Sequence, residues 1–284
     1  LKDRTLFVGP DEKFPDGCRS CLLGSGLTAI RKTNKCNLQC RFCYNYGELD
    51  AIEPVGEGIW VIGGTKFYEN DIDLLLEIHK KPTGVAYVYL EPFMEIEKYY
   101  NIIQKFNKAG IYQHLYTNGT LATETTLKAL GEAGLNELRF NLGASGCADK
   151  VIENIGRAKK YIKKVGIETP MTNEFFEKFF LKKQAVLDTG LDFINCAELH
   201  LNPNNIENYW GEKMYIARHG YISPIWSREL TLRFMAAAAK EKWNLVVHDC
   251  SNDTKFARDL NLGAKEGKWF GASSYTSEFL EIPY

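Results

Sequence analysis

The sequence lacks the features that mark several large classes of protein. No apolar stretch approaches the roughly 20 residues that a membrane-spanning helix needs, and no secretory signal is recognisable, so we expect a cytoplasmic protein with no membrane partner. Lysine and arginine number 35 against 36 acidic residues, which leaves a formal net charge of −1. This balance creates no global field for polyanions, and nucleic acid binding is not indicated.

Several common catalytic motifs are also missing. The glycines of Gly24-Ser25-Gly26 and Gly63-Gly64 are not followed by the Lys-Ser or Lys-Thr that completes a phosphate-binding loop. The chain has neither a Gly-x-Ser-x-Gly nucleophile turn nor a His-Glu-x-x-His zinc motif. It does contain eight cysteines in 284 residues, which is many for a cytoplasmic protein.

The cysteines are grouped rather than spread. Cys36, Cys40 and Cys43 have the spacing Cys-x3-Cys-x2-Cys, and Cys18 and Cys21 form a Cys-x2-Cys pair. Grouping at ligand spacing, without a secretory signal, favours metal or cluster binding over disulfides. Three thiolates leave a further ligand position to another group, whereas a structural zinc site closes its shell with four protein ligands.

Hydrophobic periodicity predicts an α/β fold. The segment Leu27–Thr33 and the apolar run Val85–Leu90 predict strands, as do residues 111–116, 138–142, 167–171 and 193–199. Helices are expected between the strands at residues 95–108, 123–130, 148–165 and 174–187. Predicted strand starts recur roughly every 25–29 residues, the size of one βα unit. We therefore predict an open partial (β/α)6 barrel of the TIM type.

The barrel is predicted to lie between two flanking segments. Residues 1–27 read as an irregular N-terminal arm, residues 28–200 as the partial barrel, and residues 201–284 as a C-terminal α/β extension. The extension begins with an irregular, aromatic segment. A helix at 228–242, a strand at 244–248 and a helix at 253–260 then either add one βα unit or cover the barrel.

Polar residues follow the predicted strands, where a barrel of this type builds its active site. Because the carboxyl ends of parallel strands meet at one mouth, these residues are expected to converge. In strand order they are Cys36, Cys40 and Cys43, then Glu91-Pro92, Thr117-Asn118-Gly119-Thr120, Asn141 and His200.

This combination resembles the radical S-adenosylmethionine (SAM) enzymes over residues 27–200. The resemblance rests on the cysteine motif with Phe42 before its last cysteine, on Glu91-Pro92 and on the Thr117–Thr120 turn. It implies that Cys36, Cys40 and Cys43 bind three irons of a [4Fe–4S] cluster whose fourth iron takes S-adenosylmethionine. Reductive cleavage of this cosubstrate would give a 5′-deoxyadenosyl radical that abstracts hydrogen from a substrate.

The resemblance also suggests roles at the mouth. Phe42 would lie near the adenine and Glu91 would bind the amino group, while Asn141, which ends a strand, would contact the ribose. Asn118 and His200 are further candidates for contact with cosubstrate or substrate. Structural roles are the alternatives: a helix N-terminal acid for Glu91, a turn residue for Asn118 and a core histidine for His200.

The sequence departs from the family pattern at one point. The family commonly has Gly-Gly-Glu-Pro after the second strand, and this chain has Tyr89-Leu90-Glu91-Pro92. Glycines at these positions allow the backbone to approach the cosubstrate closely. Their replacement puts the geometry of that contact in question.

Cys18 and Cys21 are not explained by the family motif. One interpretation is a second metal site, holding an iron–sulfur cluster, iron or zinc, with Cys250 as the favoured third ligand and Cys147 or Cys196 as others. The alternative is that they are ordinary reduced cysteines.

The implied partners are a small-molecule or peptide substrate and an electron donor such as ferredoxin or flavodoxin. The competing function is a non-catalytic iron–sulfur or zinc protein for electron transfer or structure.

Overall fold

The structure is a computed structural model that describes residues 5–78, 82–217, 220–256 and 280–281. In chain order its elements are β1 (Phe7–Val8), α1 (Asp16–Leu22), β2 (Gly26–Ile30), β3 (Ile59–Ile62), β4 (Thr65–Tyr68), α2 (Ile72–Ile78), β5 (Gly84–Tyr87), α3 (Tyr100–Lys108), β6 (Tyr112–Thr117), α4 (Glu124–Ala133), β7 (Glu137–Phe140), α5 (Asp149–Ala158), β8 (Lys164–Pro170), α6 (Asn173–Asp188), β9 (Phe193–Ala197), β10 (Met214–Ile216), β11 (Ile222–Pro224), α7 (Ile225–Glu241), β12 (Val246–Cys250) and β13 (Leu280–Glu281).

A ten-stranded sheet organises the described part of the chain, in the order β1-β12-β9-β8-β7-β6-β5-β2-β3-β4. The seven strands from β12 to β2 pair in parallel. The predicted α/β fold with an open, TIM-like barrel is confirmed, and the strand predicted at 244–248, β12, extends the six-stranded barrel by one parallel strand. Strand β1 covers the edge of β12, and the β3–β4 hairpin covers the edge of β2. Both additions protect edges that would otherwise pair with another chain.

Helix α4 shows how local sequence sets the boundaries of an element. The Thr123 hydroxyl accepts a hydrogen bond from the Thr126 amide (3.2 Å), and the Thr126 hydroxyl accepts one from the Thr123 amide (3.0 Å). This reciprocal capping box satisfies two amides at the start of the helix. Gly134, at φ +96°, ends the helix in the left-handed conformation that glycine adopts most readily.

The two faces of the parallel strands differ in polarity. Outward side chains such as Leu115, Leu138 and Val165 are fully buried in the core beneath the helices. The concave side, by contrast, carries polar and charged groups, among them His114, Tyr116, Arg139, Glu168 and His248. Arg139 is 2% exposed and forms ion pairs with Glu137 and Glu168. The barrel lumen therefore combines a few buried charged side chains with a largely apolar lining.

The N-terminal segment differs from the predicted irregular arm. It contains α1, which packs against β2, β5 and β6. Phe14, Cys18 and Leu22 form a small apolar cluster with Phe193 and Val246, the first residues of β9 and β12. These long-range contacts hold a segment whose glycines and prolines suggested no regular structure.

Two predicted helices have different bounds. The helix predicted at 148–165 ends at Ala158, because Lys164 pairs with Glu137 as the first residue of β8. The helix predicted at 95–108 is α-helical only from Tyr100 and begins as 3-10 turns.

The C-terminal segment also differs from its prediction. It contains β10 and β11 within the stretch predicted to be irregular, and both belong to a three-stranded sheet with β13. Of the helix predicted at 253–260, residues 257–260 lie outside the described residues, and residues 252–256 are helical. The division at residues 27/28 and 200/201 stays a prediction. Across the described ranges, none of the helices combines the length and apolarity needed to cross a membrane.

Candidate functional site

The loop between β2 and β3 carries Cys36, Cys40 and Cys43, and we call residues 36–43 the cysteine loop. Its turn is closed by the Cys43 amide, which donates to the Cys40 carbonyl at 2.9 Å. All three thiols are free and half-buried. The Asn45 amide donates to Cys43 Sγ at 3.4 Å, a contact that favours the thiolate form.

The electrostatics of the cysteine loop suit a cationic ligand. Burial raises the pKa of all three thiols, and that of Cys40 reaches about 12, where charges on Cys43 and Cys36 act in the same direction. Three thiolates in this space repel one another, so they ionise together only when metal ions compensate their charge. The donor set therefore fits an iron–sulfur cluster.

A cluster and a single metal ion require different arrangements of the thiols. Within the described ranges, no three His, Cys, Asp or Glu side chains are arranged to hold one metal ion. A [4Fe–4S] cluster does not require such convergence, because each thiolate binds a different iron. A closed zinc site does require it, with four protein ligands around one point.

Glu91, directly after β5, is buried at 1% exposure. Its Oε1 accepts hydrogen bonds from the Thr117 hydroxyl (2.7 Å) and the Phe93 amide (3.0 Å), and its Oε2 accepts one from the Asn118 amide (2.6 Å). Burial raises the pKa of Glu91 and these three bonds oppose the shift. The carboxylate joins the ends of β5 and β6, and about one of its four acceptor positions is left over.

The backbone before Glu91 has positive φ values, which glycine adopts more readily than other residues. Tyr89 has φ +145° and Leu90 has φ +44°, both in the region that side chains disfavour. The predicted strand Val85–Leu90 ends at Tyr87 for this reason. The Tyr89 hydroxyl has a raised pKa through burial and the nearby Cys43 charge, which places this side chain beside the cysteine loop.

Asn118 and Asn141 occupy the ends of β6 and β7. Asn118 Oδ1 accepts bonds from the Thr120 amide (3.0 Å) and hydroxyl (2.7 Å), while its Nδ2 reaches the cysteine loop. Asn141 Oδ1 accepts bonds from the Ala144 amide (3.1 Å) and the Thr169 hydroxyl (2.8 Å). The Cys40 thiol lies 3.9 Å from the Ala144 carbonyl. Both asparagines therefore adjoin the cysteine loop, and Asn141 Nδ2 has no partner among the described residues.

His200 follows β9, and its side chain contacts residues of the C-terminal segment. It is buried, stacks on Tyr221 at 4.2 Å between ring centroids and bonds to Asn252 through Nε2. The Lys255 ammonium lies 3.1 Å from the same nitrogen. These contacts give His200 a structural environment, and its predicted contact with cosubstrate or substrate stays a prediction.

Phe42 and an asparagine-rich segment cover the cysteine loop from the other side. The Phe42 ring packs on Leu199, Leu201 and Met214. The covering segment, residues 202–208, was not predicted from the sequence. Its side-chain amides donate to backbone carbonyls of residues 41–44, and we call it the asparagine clamp. Its bonds join Asn202 and Asn204 to Tyr44, Asn205 to Phe42 and Asn208 to Arg41. Four asparagines within residues 202–208 are the signal that could have revealed it.

Cys18, Cys21 and Cys250 lie at a different place. All three line a cavity of about 280 Å³ inside the barrel, and none of the thiols of the cysteine loop lines it. Burial raises the pKa of Cys250 to about 11, with Lys255 opposing the shift and Glu168 and Cys21 adding to it.

The chain is similar in sequence to a known enzyme family. The model of the radical SAM superfamily matches residues 30–177, just over half of the chain. A protein of Methanocaldococcus jannaschii, provisionally named a glycyl-radical enzyme activating enzyme, is 27% identical over 205 residues, which cover 68% of this chain and 52% of that protein. The tungsten-containing aldehyde ferredoxin oxidoreductase cofactor-modifying protein of Pyrococcus furiosus is 24% identical over 202 residues, covering 62% and 52%. The chain thus spans about half the length of these curated relatives.

The fold has counterparts among solved structures. SuiB of Streptococcus suis, bound to its precursor peptide SuiA, superposes with a TM-score of 0.57 at 14% identity, covering 90% of this chain and 58% of that one. At this identity the similarity shows a shared fold. The family match includes the whole Cys-x3-Cys-x2-Cys motif and the strands whose ends surround it, and on that evidence the chain belongs to the radical SAM superfamily.

Proposed function

We propose that this chain is an enzyme that binds a [4Fe–4S] cluster through Cys36, Cys40 and Cys43 and binds S-adenosylmethionine beside it. When bound, the cluster supplies the electron that cleaves S-adenosylmethionine to methionine and a 5′-deoxyadenosyl radical, which removes hydrogen from a substrate. The observation that carries the proposal is the cysteine loop itself: three free, half-buried thiols beside the carboxyl ends of β5, β6 and β7.

The residues around the loop position the cosubstrate in this proposal. The remaining acceptor position of Glu91 takes a hydrogen from the amino group, and the unpartnered Nδ2 of Asn141 donates to the ribose. The positive-φ backbone at Tyr89 and Leu90 turns the chain toward the cysteine loop.

Three other predicted residues act at the edge of the site. Asn118 acts as a positioning residue, because its side chain bonds to the cysteine loop. Phe42 presents the part of its ring that the apolar cluster leaves uncovered to the adenine. His200 acts by fixing the C-terminal segment over the barrel.

The substrate in this proposal is a peptide or a small molecule. The name of the Methanocaldococcus relative, a glycyl-radical enzyme activating enzyme, supports a polypeptide substrate. An iron–sulfur cluster ligated by thiolates has a low reduction potential, so a donor of matching potential such as ferredoxin or flavodoxin reduces it.

The decisive experiment is cosubstrate cleavage by the reconstituted chain. Anaerobic protein given dithionite and S-adenosylmethionine should release 5′-deoxyadenosine, measured by liquid chromatography and mass spectrometry. Cys40→Ser should abolish release, and Cys147→Ala, which changes a buried cysteine of the hydrophobic core, should retain it. A cluster that is reduced, as seen by electron paramagnetic resonance, yet gives no product would favour the non-catalytic iron–sulfur alternative.

A further inference from the structure

Helix α1 is held tightly inside the barrel. A Cβ atom on Gly17 would lie 2.6 Å from Arg139 Nη2 and 2.7 Å from His114 Nδ1, closer than real Cβ contacts. A Cβ on Gly84 would lie 2.8 Å from the Ser20 hydroxyl. Glycine at these points allows the helix backbone to touch the lumen side chains and the strands directly. The depth of α1 in the barrel is therefore set by packing.

This placement brings three thiols to one cavity. Cys18 and Cys21 stand three residues apart on α1, a spacing that puts both on one face of a helix. Cys250 ends β12 on the opposite wall, and all three are free thiols that line the same cavity of about 280 Å³. This volume is many times the minimum that one water molecule needs, so the cavity has room for a polyatomic ligand.

The remaining cysteines provide a contrast within the same chain. Cys147 and Cys196 are fully buried in the main hydrophobic core and do not line the cavity. They fit the description of ordinary reduced cysteines, which pack as small apolar groups. Cys18, Cys21 and Cys250 line the cavity instead, and Cys21 is exposed.

An unpartnered nitrogen in the same cavity points independently to a ligand. His114 is 6% exposed and lines the cavity, and its Nδ1 has no hydrogen-bond partner. Leaving a buried polar atom unpaired costs about 1–3 kcal/mol, which a bound ligand would offset. Three thiols and one imidazole are also a donor set that proteins use for metal sites.

We propose that Cys18, Cys21 and Cys250 hold a second metal centre in the barrel lumen, beside the unpartnered Nδ1 of His114. The bound group is a thiophilic metal centre, either an iron–sulfur cluster or a single iron or zinc ion. Each thiol gives up its proton and forms one metal–sulfur bond, so binding needs no oxidant or reductant.

The site is tested by counting metal after the first site has been removed. The triple variant Cys36→Ala, Cys40→Ala, Cys43→Ala is reconstituted anaerobically, desalted, and assayed for iron, acid-labile sulfide and zinc. We expect about one residual centre per chain: iron with matching sulfide for a cluster, or about one iron or zinc without sulfide. Residual metal at background level would overturn the proposal.

Two further variants in the triple background identify the ligands. Adding Cys18→Ser, Cys21→Ser and Cys250→Ser should reduce the residual metal to background. Adding Cys147→Ala and Cys196→Ala should leave it unchanged, which controls for adventitious binding by cysteine. Metal that remains bound after Cys18, Cys21 and Cys250 are replaced must be held by other residues, and this result would refute the assignment.

A milder change keeps the test valid if the multiple variants fail to fold. Cys21 is exposed, so Cys21→Ser in the otherwise intact chain should leave the fold unchanged by circular dichroism. For a cluster or an iron site, the Mössbauer spectrum of the iron-57-labelled protein should lose or alter one component while that of the first cluster persists. For zinc, the zinc content should fall. An unchanged spectrum together with unchanged zinc content would overturn the site, and neither readout depends on cosubstrate cleavage.

Discussion

The side chain of Asn118 donates from Nδ2 to Oδ1 of Asn37 at 2.9 Å, and so joins the end of β6 to the cysteine loop. Asn37 in turn donates to the Thr120 hydroxyl at 2.8 Å, which closes a small ring of bonds. Glu91 holds the amide of the same Asn118. A buried carboxylate at the end of one strand thus fixes the asparagine that restrains the cysteine loop.

Loss of this restraint should shorten the lifetime of the bound cluster. Asn118→Ala removes the bond to the loop, and about 1.4 kcal/mol of lost loop stabilisation would raise the population of the open loop roughly tenfold. We expect a correspondingly faster loss of visible cluster absorbance when an iron chelator is added anaerobically. Asn173→Ala, at an exposed position that begins α6, is the matched control. Equal rates for both variants would contradict a restraining role.

The folded chain should be more stable with glycine than with alanine at the positions of Tyr89 and Leu90. Positive φ values cost a residue with a side chain about 1–3 kcal/mol, while glycine costs about 0.5–1 kcal/mol in chain entropy. Comparison of Tyr89→Gly with Tyr89→Ala removes the ring in both variants and isolates the backbone. We expect the glycine variant to unfold at a higher urea concentration, by about 1 kcal/mol in free energy of unfolding. The opposite order would show that the turn carries no strain.

Glu95 should make the base of the cysteine loop sensitive to acid. Its carboxylate accepts hydrogen bonds from Lys98 (2.7 Å), Lys35 (3.0 Å) and Thr33 (3.3 Å). Burial alone would raise the pKa of Glu95, but the bonds and charges of Lys98 and Lys35 outweigh it and bring the pKa to about 2. Because the pKa is lower in the folded state, the stabilisation is present above the unfolded pKa of 4.5 and is lost as the pH falls toward 2.

Replacement of Glu95 should therefore reduce this pH dependence. Between neutral pH and about pH 3, the wild-type chain should lose about 1 kcal/mol more free energy of unfolding than Glu95→Gln does, since solvent screens the two exposed lysines. Urea unfolding at the two pH values measures the difference. Glu97→Gln, at an exposed site two residues away, should behave as wild type.

The parallel strands and the cysteine motif were predictable from sequence because their signals are local. Residues Val85–Tyr87 of β5 lie in an apolar run, the βα units recur at a regular spacing, and the cysteine ligands lie within eight residues. The position of α1 was not predictable, because its seven residues have no long apolar stripe and its contacts are with distant residues such as Arg139. The asparagine clamp was not predictable for the same reason. Asn205 bonds to Phe42, which is 163 residues away in sequence, and a local sequence pattern does not indicate such a contact.

The packing of α1 predicts opposite effects for two glycine-to-alanine substitutions in helices. Gly17→Ala would force a Cβ against Arg139 and His114, so it should lower the free energy of unfolding by about 1–3 kcal/mol. Gly156→Ala, inside α5, meets atoms only at 3.9 Å and should raise it by about 0.5–1 kcal/mol through helix propensity. Urea unfolding of both variants measures the two signs. If Gly17→Ala were as stable as Gly156→Ala, the helix would not be fixed against the lumen side chains, and Cys18 and Cys21 would not be held at the depth of Cys250.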